Sequence, residues 1–544
     1  MKRLICLLLV ACFMAVALIS CGGTSDVVDG SDTGENANGE SQTEVPTNEY
    51  GEPLFTSAID TTKIDFEGDT LKILHRDSLP VQREWYKDVT EDDLDEVIAM
   101  RNEAVAETLN MTVQYEAMAS SDYEDCLSTF NAAIKEDVDN DFHYYDVVAN
   151  YAYAGANAAV RDYIANLADT DVFPYFDFNL PCWNQAIVET TLINDQLYYI
   201  TGDLNLSTFD KTMVIFLNKS MYEDKRNDDD PEDLQDLALE GYDEEAKKGV
   251  AGGFTYDHLY RWSSVFEDIN GENGNQHDDF HGISADYGSI PLDAFPYAWD
   301  LEYITENADG SHSYNVIGNS KIEEAITKVQ NLLNGQISQG VCNDDNTGNC
   351  SLGGYSEPIA HFAADKSIFA LHILYNNETD NTTIREMESR FGLLPMPKYD
   401  EEQEDYGTTA HDAYTLMTVI DHSNSSVPTK GEMVSAYLQY STEESYTNVR
   451  GYYINRIVKT RYFGTDLDDS PKSIALFNII ADNVEFTFIS VYAPQLNGVL
   501  NSCWRDVVTG NHEGGATTAQ GAYESDSGNY DLQIAEVDSW LGLA

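Results

Sequence analysis

Arg76, Tyr151, Tyr153 and Asp203 stand just past segments that read as strands, and with His411 from a later stretch they form a set for hydrogen bonding and ring stacking. Guanidinium and carboxylate groups bind neighbouring hydroxyls in a plane, and aromatic rings offer an apolar face with a polar edge. That is the chemistry of holding a neutral, hydroxyl-bearing molecule. His75 and Arg76 end the apolar run at 70–75, Tyr151 and Tyr153 follow the run at 145–150, and Asp203, joined by Asn205, follows 197–200. Further on, Phe295-Pro296-Tyr297-Ala298-Trp299-Asp300 gathers two more ring platforms and a carboxylate in a loop-like stretch. Tyr375 follows the run at 368–374, and Tyr406, His411, Asp412 and Tyr414 make a later group. Trp299 is the expected stacking anchor, with Trp299→Ala weakening binding by about 1–3 kcal/mol. Trp183, beside Pro181 and Cys182, reads either as a platform or as a packed loop aromatic, and Trp504 has the same two readings.

Reactive patterns are missing from the same residues. The chain has no phosphate loop, no G-x-S-x-G elbow and no H-E-x-x-H helix. Its 95 Asp and Glu place paired carboxylates everywhere, so pairs alone do not single out a glycoside-hydrolysing site. The loop 268–279 has oxygen ligands at alternate positions, but Asn273 stands where a calcium loop needs Gly and Asp279 where it needs a bidentate Glu. His277 and His281 are four apart, with Gly282 against a zinc-binding helix. Neither metal nor cofactor is expected.

The elements that must carry the binding set alternate. A strand at 70–75 precedes a helix at 92–109, in which Leu94, Ile98, Ala104 and Leu109 recur at helical spacing. A strand at 113–116, a helix at 123–135 and a buried run at 145–150 follow. This is an α/β pattern with a parallel sheet. Roughly 490 residues beyond the N-terminal region exceed what one hydrophobic core supports, so two lobes are expected.

The N-terminus carries an address. Lys2 and Arg3 precede an apolar run at 4–19, too short for the roughly 20 residues of a spanning helix, and it ends at Leu18-Ile19-Ser20-Cys21. This resembles a bacterial lipobox, implying cleavage after residue 20 and lipid on Cys21. The polar stretch at 22–52 cannot bury enough apolar surface to order itself, so 21–58 is expected to be a flexible tether. Loss of the signal leaves 28 Lys+Arg against 95 Asp+Glu and moves the net charge from -65 to -67. Such acidity disfavours nucleic acid and anionic lipid. Five cysteines remain besides Cys21, an odd number, and Cys342 and Cys350 bracket a loop either as a disulfide or as free thiols.

The order of short segments resembles the extracellular solute-binding lipoproteins of carbohydrate ABC transporters, the maltodextrin-binding type. Tyr145-Asp146-Val147-Val148 is similar to that family's YDVV strand, Ile164-Ala165-Asn166-Leu167 to its G-x-L-x-D-L segment, and Phe178 to Trp183 to its L-x-x-P-W-W, with Cys182 in place of an aromatic. Asn194 to Tyr199 resembles N-G-K-L-Y, Met213 to Lys219 the V-x-x-F-N-K strand, and Gly253 to Asp257 the G-K-W-T-x-D helix start. The stretches from Phe362, from Phe391 to Tyr399 and from Lys459 to Asp468 resemble F-x-x-G-K-x-A-M, G-x-L-P-x-P-K-Y and K-x-R-Y-x-x-D. The resemblance implies a two-lobed, type II periplasmic-binding fold: lobe one at 59–210 plus 396–445, lobe two at 211–395 plus 446–544. Crossings are expected near 207–212, 395–399 and 440–453, with a ligand cleft between the lobes and Tyr297, Trp299 and Asp300 in its wall. It also implies a monomer outside the cell that hands a sugar to a membrane permease and is no enzyme. A surface glycoside hydrolase and a peptide-binding lipoprotein are the alternatives.

Overall fold

The computed structural model describes residues 46–48, 50, 53–77, 84–85, 93–119, 123–244, 246–267, 279–286, 290–337, 352–353, 357–374, 383–424, 428–458 and 470–543. Their numbered elements in chain order are β1 (Thr70–Arg76), α1 (Asp93–Thr108), β2 (Thr112–Met118), α2 (Tyr123–Asp139), β3 (Val147–Tyr151), β4 (Met213–Asn218), β5 (Phe280–Asp286), α3 (Ser320–Ile337), β6 (Ser367–Ile373), β7 (Phe391–Leu394), β8 (Thr415–Val419), α4 (Gly431–Glu444), α5 (Ser470–Asp482) and α6 (Ala519–Trp540).

These strands form two main sheets. In the first, β2 and β3 flank β1 in parallel, Leu71 opposite Val113 and Leu74 opposite Val148. β8 joins β3 antiparallel, with Thr415 opposite Tyr151. In the second, β5 and β6 are parallel, β4 lies antiparallel to β6, and β7 antiparallel to β4. Both antiparallel strands, β4 and β8, are the first strands after the chain arrives from the other sheet. A chain entering at the carboxyl ends of resident parallel strands must run back against them. The two sheets therefore turn their carboxyl ends toward a shared hinge, where ligand sites of open α/β sheets lie. The expected two-lobed α/β architecture is present.

Burial explains which strands are legible. β3 is buried at every position, and its apolar Val147, Val148 and Ala149 make it legible as a buried strand. β2 alternates half-exposed and exposed residues at the sheet edge, so it extends to Met118, past the apolar pattern that suggested 113–116. The first sheet packs Leu71, Ile73, Val147, Leu197 and Tyr437 into one core. α1 serves two cores: Val105 belongs to that one, whereas Leu94 and Ile98 join Val214, Phe216, Tyr453 and Ile454 beside the second sheet.

Three connections cross between the sheets. The first passes through the short helix Ser207–Asp210 into β4. The second runs alongside it, since Met213 N–H donates to Thr409 O at 2.9 Å and His411 N–H to Lys211 O at 2.8 Å. The third is α4 continued through π-helical turns at Ser445–Arg450 and Tyr453–Val458.

Two expected boundaries are corrected. The return was placed at 395–399, but 396–406 stays with the second sheet. Trp299 Nε1 donates to Pro397 O at 2.9 Å, and Tyr406 Oη donates to Ala238 O at 2.9 Å. The buried Lys398 ammonium donates to the carbonyls of Gly241, Val250 and Gly252 at 2.9, 2.6 and 3.0 Å. Burial pulls Lys398 down to about 8, and those three carbonyls satisfy its donors. The crossing lies between Tyr406 and Thr415. The flexible tether is expected over 21–58, but Asn48, Pro53, Phe55, Ser57 and Ala58 contact the third crossing. The chain's end is also shared: Thr190 Oγ1 donates to Phe486 O at 2.8 Å, and Trp540 meets Tyr199 edge-on at 6.3 Å. One apolar cluster consequently runs from Ile187 and Tyr199 to Trp299 and Leu332.

Candidate functional site

Arg76 ends β1 and Tyr151 ends β3, the strand beside it. The guanidinium carbon sits 3.5 Å from the Tyr151 ring centroid. Such stacking holds the guanidinium plane in one orientation. The segment at 411–414 is fastened to the same edge, because Ala152 N–H donates to Tyr414 O at 2.9 Å and Tyr153 N–H to Asp412 O at 3.1 Å. His411 is buried, its Nδ1 2.9 Å from Asp412 Oδ1, while the Asp412 side chain keeps 22% exposure. Five expected residues, Arg76, Tyr151, Tyr153, His411 and Asp412, thus meet at one strand edge.

Opposite them stand groups from the second lobe. Asp293 precedes the helix Ala294–Ala298 and pairs with Arg505 through both oxygens, the Nε contact at 3.3 Å and the Nη2 contact shorter. Asp412 and His411 act electrostatically on Asp293, and Asp412 on Arg505, which ties the two half-sites together. Burial raises the Asp293 carboxyl, while the Arg505 guanidinium pulls it the other way. Tyr297, reached by Thr487 and Ser490, has its hydroxyl pushed well up by burial and by the Asp293 charge, so it is a neutral donor at physiological pH. Asp293 and Arg505 were not expected from sequence. They lie 212 residues apart, and no periodic pattern links them.

Other expected residues lie elsewhere. Trp183 is 1% exposed, donates Nε1–H to Gln439 Oε1 at 3.0 Å, and packs with Phe176 and Phe178. Trp299 is fully buried among Phe295, Tyr256 and Tyr399. Neither offers a ring face, so both are corrected from platforms to core residues. Trp504, also fully buried, donates to Leu292 O at 3.0 Å, and Tyr406 is core as well. Asp203 lies at the hinge, 3.6 Å from Arg450 Nη1, and the Arg450 Nη2 reaches Asp482 at 3.3 Å. Asp300 is exposed, with φ of +50°, and its carbonyl accepts from Lys321. It borders, with Tyr297 and Phe488, a cavity of about 110 Å³, too small for the roughly 300–1,000 Å³ of ordinary ligand pockets. Tyr375, Cys21, Cys342, Cys350 and 268–278 lie outside the described residues.

Beneath the strand edge, one buried carboxylate joins the connections. Glu84 accepts at Oε1 from Ser207 N–H (2.9 Å) and Oγ–H (2.6 Å), and at Oε2 from Asn205 Nδ2 (3.0 Å) and Thr415 Oγ1 (2.7 Å). Arg101 reaches the Glu84 carbonyl and Ser445 Oγ, both at 2.7 Å. The first, second and third connections therefore meet around two residues. Burial raises the Glu84 carboxyl from 4.5 to about 7 against those donors. Between these pH values the folded chain holds a proton that the unfolded chain has lost, so stability falls as pH rises through the window. At about 1.4 kcal/mol per pH unit the loss is on the order of 3 kcal/mol. Urea unfolding from pH 4.5 to 8 is expected to show this slope in the wild type and a flatter profile in Glu84→Gln; parallel profiles would remove Glu84 as its source.

Among the described residues no group of three or more His, Cys, Asp or Glu could hold a metal ion, and no helix is long and apolar enough to cross a membrane. His281 is buried with Nδ1 at 3.1 Å from His361 Nε2, and burial pulls it down to about 4.

No family model and no curated protein matches the sequence. Solved structures of sugar-binding proteins of ABC transporters do align over most of it. Maltose-bound MalE3 of T. maritima is 14% identical, with 86% of this chain and 100% of that one covered and a TM-score of 0.48. The galacto-N-biose-/lacto-N-biose I-binding protein of Bifidobacterium longum, in complex with lacto-N-biose, is 10% identical over 88% and 99% of the two chains, with a TM-score of 0.49. The GacH receptor of Streptomyces glaucescens is 14% identical over 87% and 99%, with a TM-score of 0.46.

Proposed function

We propose that this chain is the extracellular substrate-binding component of an ABC importer, anchored through Cys21, which takes up a neutral sugar or oligosaccharide between its lobes and passes it to a membrane permease. The observation that supports this most is the pairing of half-sites at the hinge. Arg76, Tyr151, Tyr153 and Asp412 stand at the carboxyl edge of one sheet, and of these Asp412 acts electrostatically on Asp293, Tyr297 and Arg505 of the other lobe. Planar carboxylate and guanidinium groups beside tyrosine rings suit vicinal hydroxyls and C–H faces. Maltose and lacto-N-biose are bound in two of the aligned structures; for this chain the saccharide class rests on the half-sites' own chemistry.

The reading contains capture and release with no bond broken. Closure about paired crossings traps the solute, and reopening delivers it. Purified protein incubated with a panel of neutral oligosaccharides is expected to bind one class saturably and release no reducing sugar. Steady product formation would establish the glycoside-hydrolase alternative instead. Arg76→Ala is expected to weaken that binding by about 2 kcal/mol, roughly thirty-fold, by removing the stacked donor plane. Calorimetric titration of the folded variant checks this, and unchanged affinity would take Arg76 out of the site.

A further inference from the structure

We propose that Thr47, Asn48, Tyr50 and residues 53–58, at the body-proximal end of the N-terminal segment, form a strap that restrains the hinge by gripping the third crossing helix where it is π-helical. A polar, glycine-rich leader is expected to leave the body without touching it. Here the contacts fall on one helical connection. Thr47 forms an antiparallel bridge with Pro53. Asn48 Nδ2 donates to Thr447 O at 2.9 Å, and Tyr446 Oη donates to Pro53 O at 3.1 Å. Phe55 packs on the Tyr446 ring at 5.2 Å. Ala58 N–H donates to Glu443 Oε1 at 3.0 Å, and Ser57 Oγ donates to Glu443 Oε2.

Glycine at 451 makes the closest approach possible. A Cβ there would lie 2.3 Å from a Tyr50 ring atom, well inside contact distance. The gripped residues, 443, 446, 447 and 451, share one helical face, and 445–450 is π-helical. Single π turns are uncommon and mark places where a helix has a functional irregularity. The grip is also wired into both lobes. Glu443 Oε1 accepts from Gln439 Nε2 at 2.8 Å, and Gln439 Oε1 accepts from Trp183 in the first lobe's core. One residue before Gly451, Arg450 reaches Asp203 on one side of the hinge and Asp482 on the other.

A helix that spans two lobes changes its bend or register when they move. A segment bound across that helix therefore favours one arrangement, and the coupling works in both directions. Strap docking sets the hinge, and hinge movement loosens the strap. The inference rests on the crossings and not on the solute, so a missing saccharide leaves it standing and its own failure leaves the saccharide reading standing.

Amide hydrogen exchange on the whole exported chain tests it, comparing the wild type with Tyr50→Ala/Phe55→Ala and, separately, with Gly451→Ala, which expels the Tyr50 ring while leaving the strap sequence intact. Exchange is expected to quicken about ten-fold or more both at 445–458 and at the paired crossings 209–213 and 408–411, with β1 unchanged as the internal reference. Acceleration confined to 445–458 would reduce the strap to a local contact and overturn the coupling. No acceleration, or an equal acceleration in β1, would overturn it as well.

Discussion

Trp299→Ala is expected to lower the unfolding free energy by about 3–5 kcal/mol, the usual cost of removing a large buried aromatic. The indole is fully buried, its N–H is used by Pro397 O, and its ring is enclosed by Phe295, Tyr256 and Tyr399. Truncation leaves a cavity and an unpaired carbonyl in the cluster that joins the two lobes. Urea unfolding should show a lower midpoint at unchanged slope, with the remaining folded protein binding its solute as before. A variant of wild-type stability with weakened saccharide binding would return Trp299 to the ligand site.

Arg505→Ala should cost a similar 3–5 kcal/mol for a different reason. The guanidinium keeps 17% exposure and the Asp293 side chain 10%, so the carboxylate has little water to fall back on once its partner is gone. The unpaired Asp293 then takes up a proton more readily, and the defect should shrink as pH falls. Asp293→Asn combined with Arg505→Ala should recover much of the loss by removing the stranded charge. Denaturant unfolding at pH 5 and pH 8 measures both effects. Equal destabilisation at the two pH values, with no recovery in the double variant, would mean that Arg505 contributes through packing alone.

Much of the first lobe was legible because its strands have plain patterns. β1 and β3 are buried runs, and binding candidates placed at their ends, Arg76 and Tyr151, do meet there. The tryptophans misled because a large ring beside a proline looks the same in sequence whether it faces a ligand or a core. Position 299 is decided by Tyr256 and Tyr399, 43 residues before it and 100 after it. The return crossing was misplaced because Pro395-Met396-Pro397 reads as a break, whereas Lys398 holds that stretch to carbonyls at 241–252. The tether's docked end was invisible for a similar reason. Polar composition sets the cost of ordering a segment, but contacts such as Asn48 with Thr447, 399 residues apart, offset that cost only in the fold. Glu84 and the Asp293–Arg505 pair carried no local signal at all.

Retention of a neutral saccharide by the paired half-sites is what the proposed function requires. The heating midpoint of the intact chain, measured against separate panels of neutral saccharides, peptides and polyamines, checks this, since a ligand of the folded state alone raises that midpoint. A concentration-dependent rise is expected with a neutral saccharide, lost in Arg76→Ala. A rise with peptides or polyamines only, or a saccharide rise that survives Arg76→Ala undiminished, would contradict it.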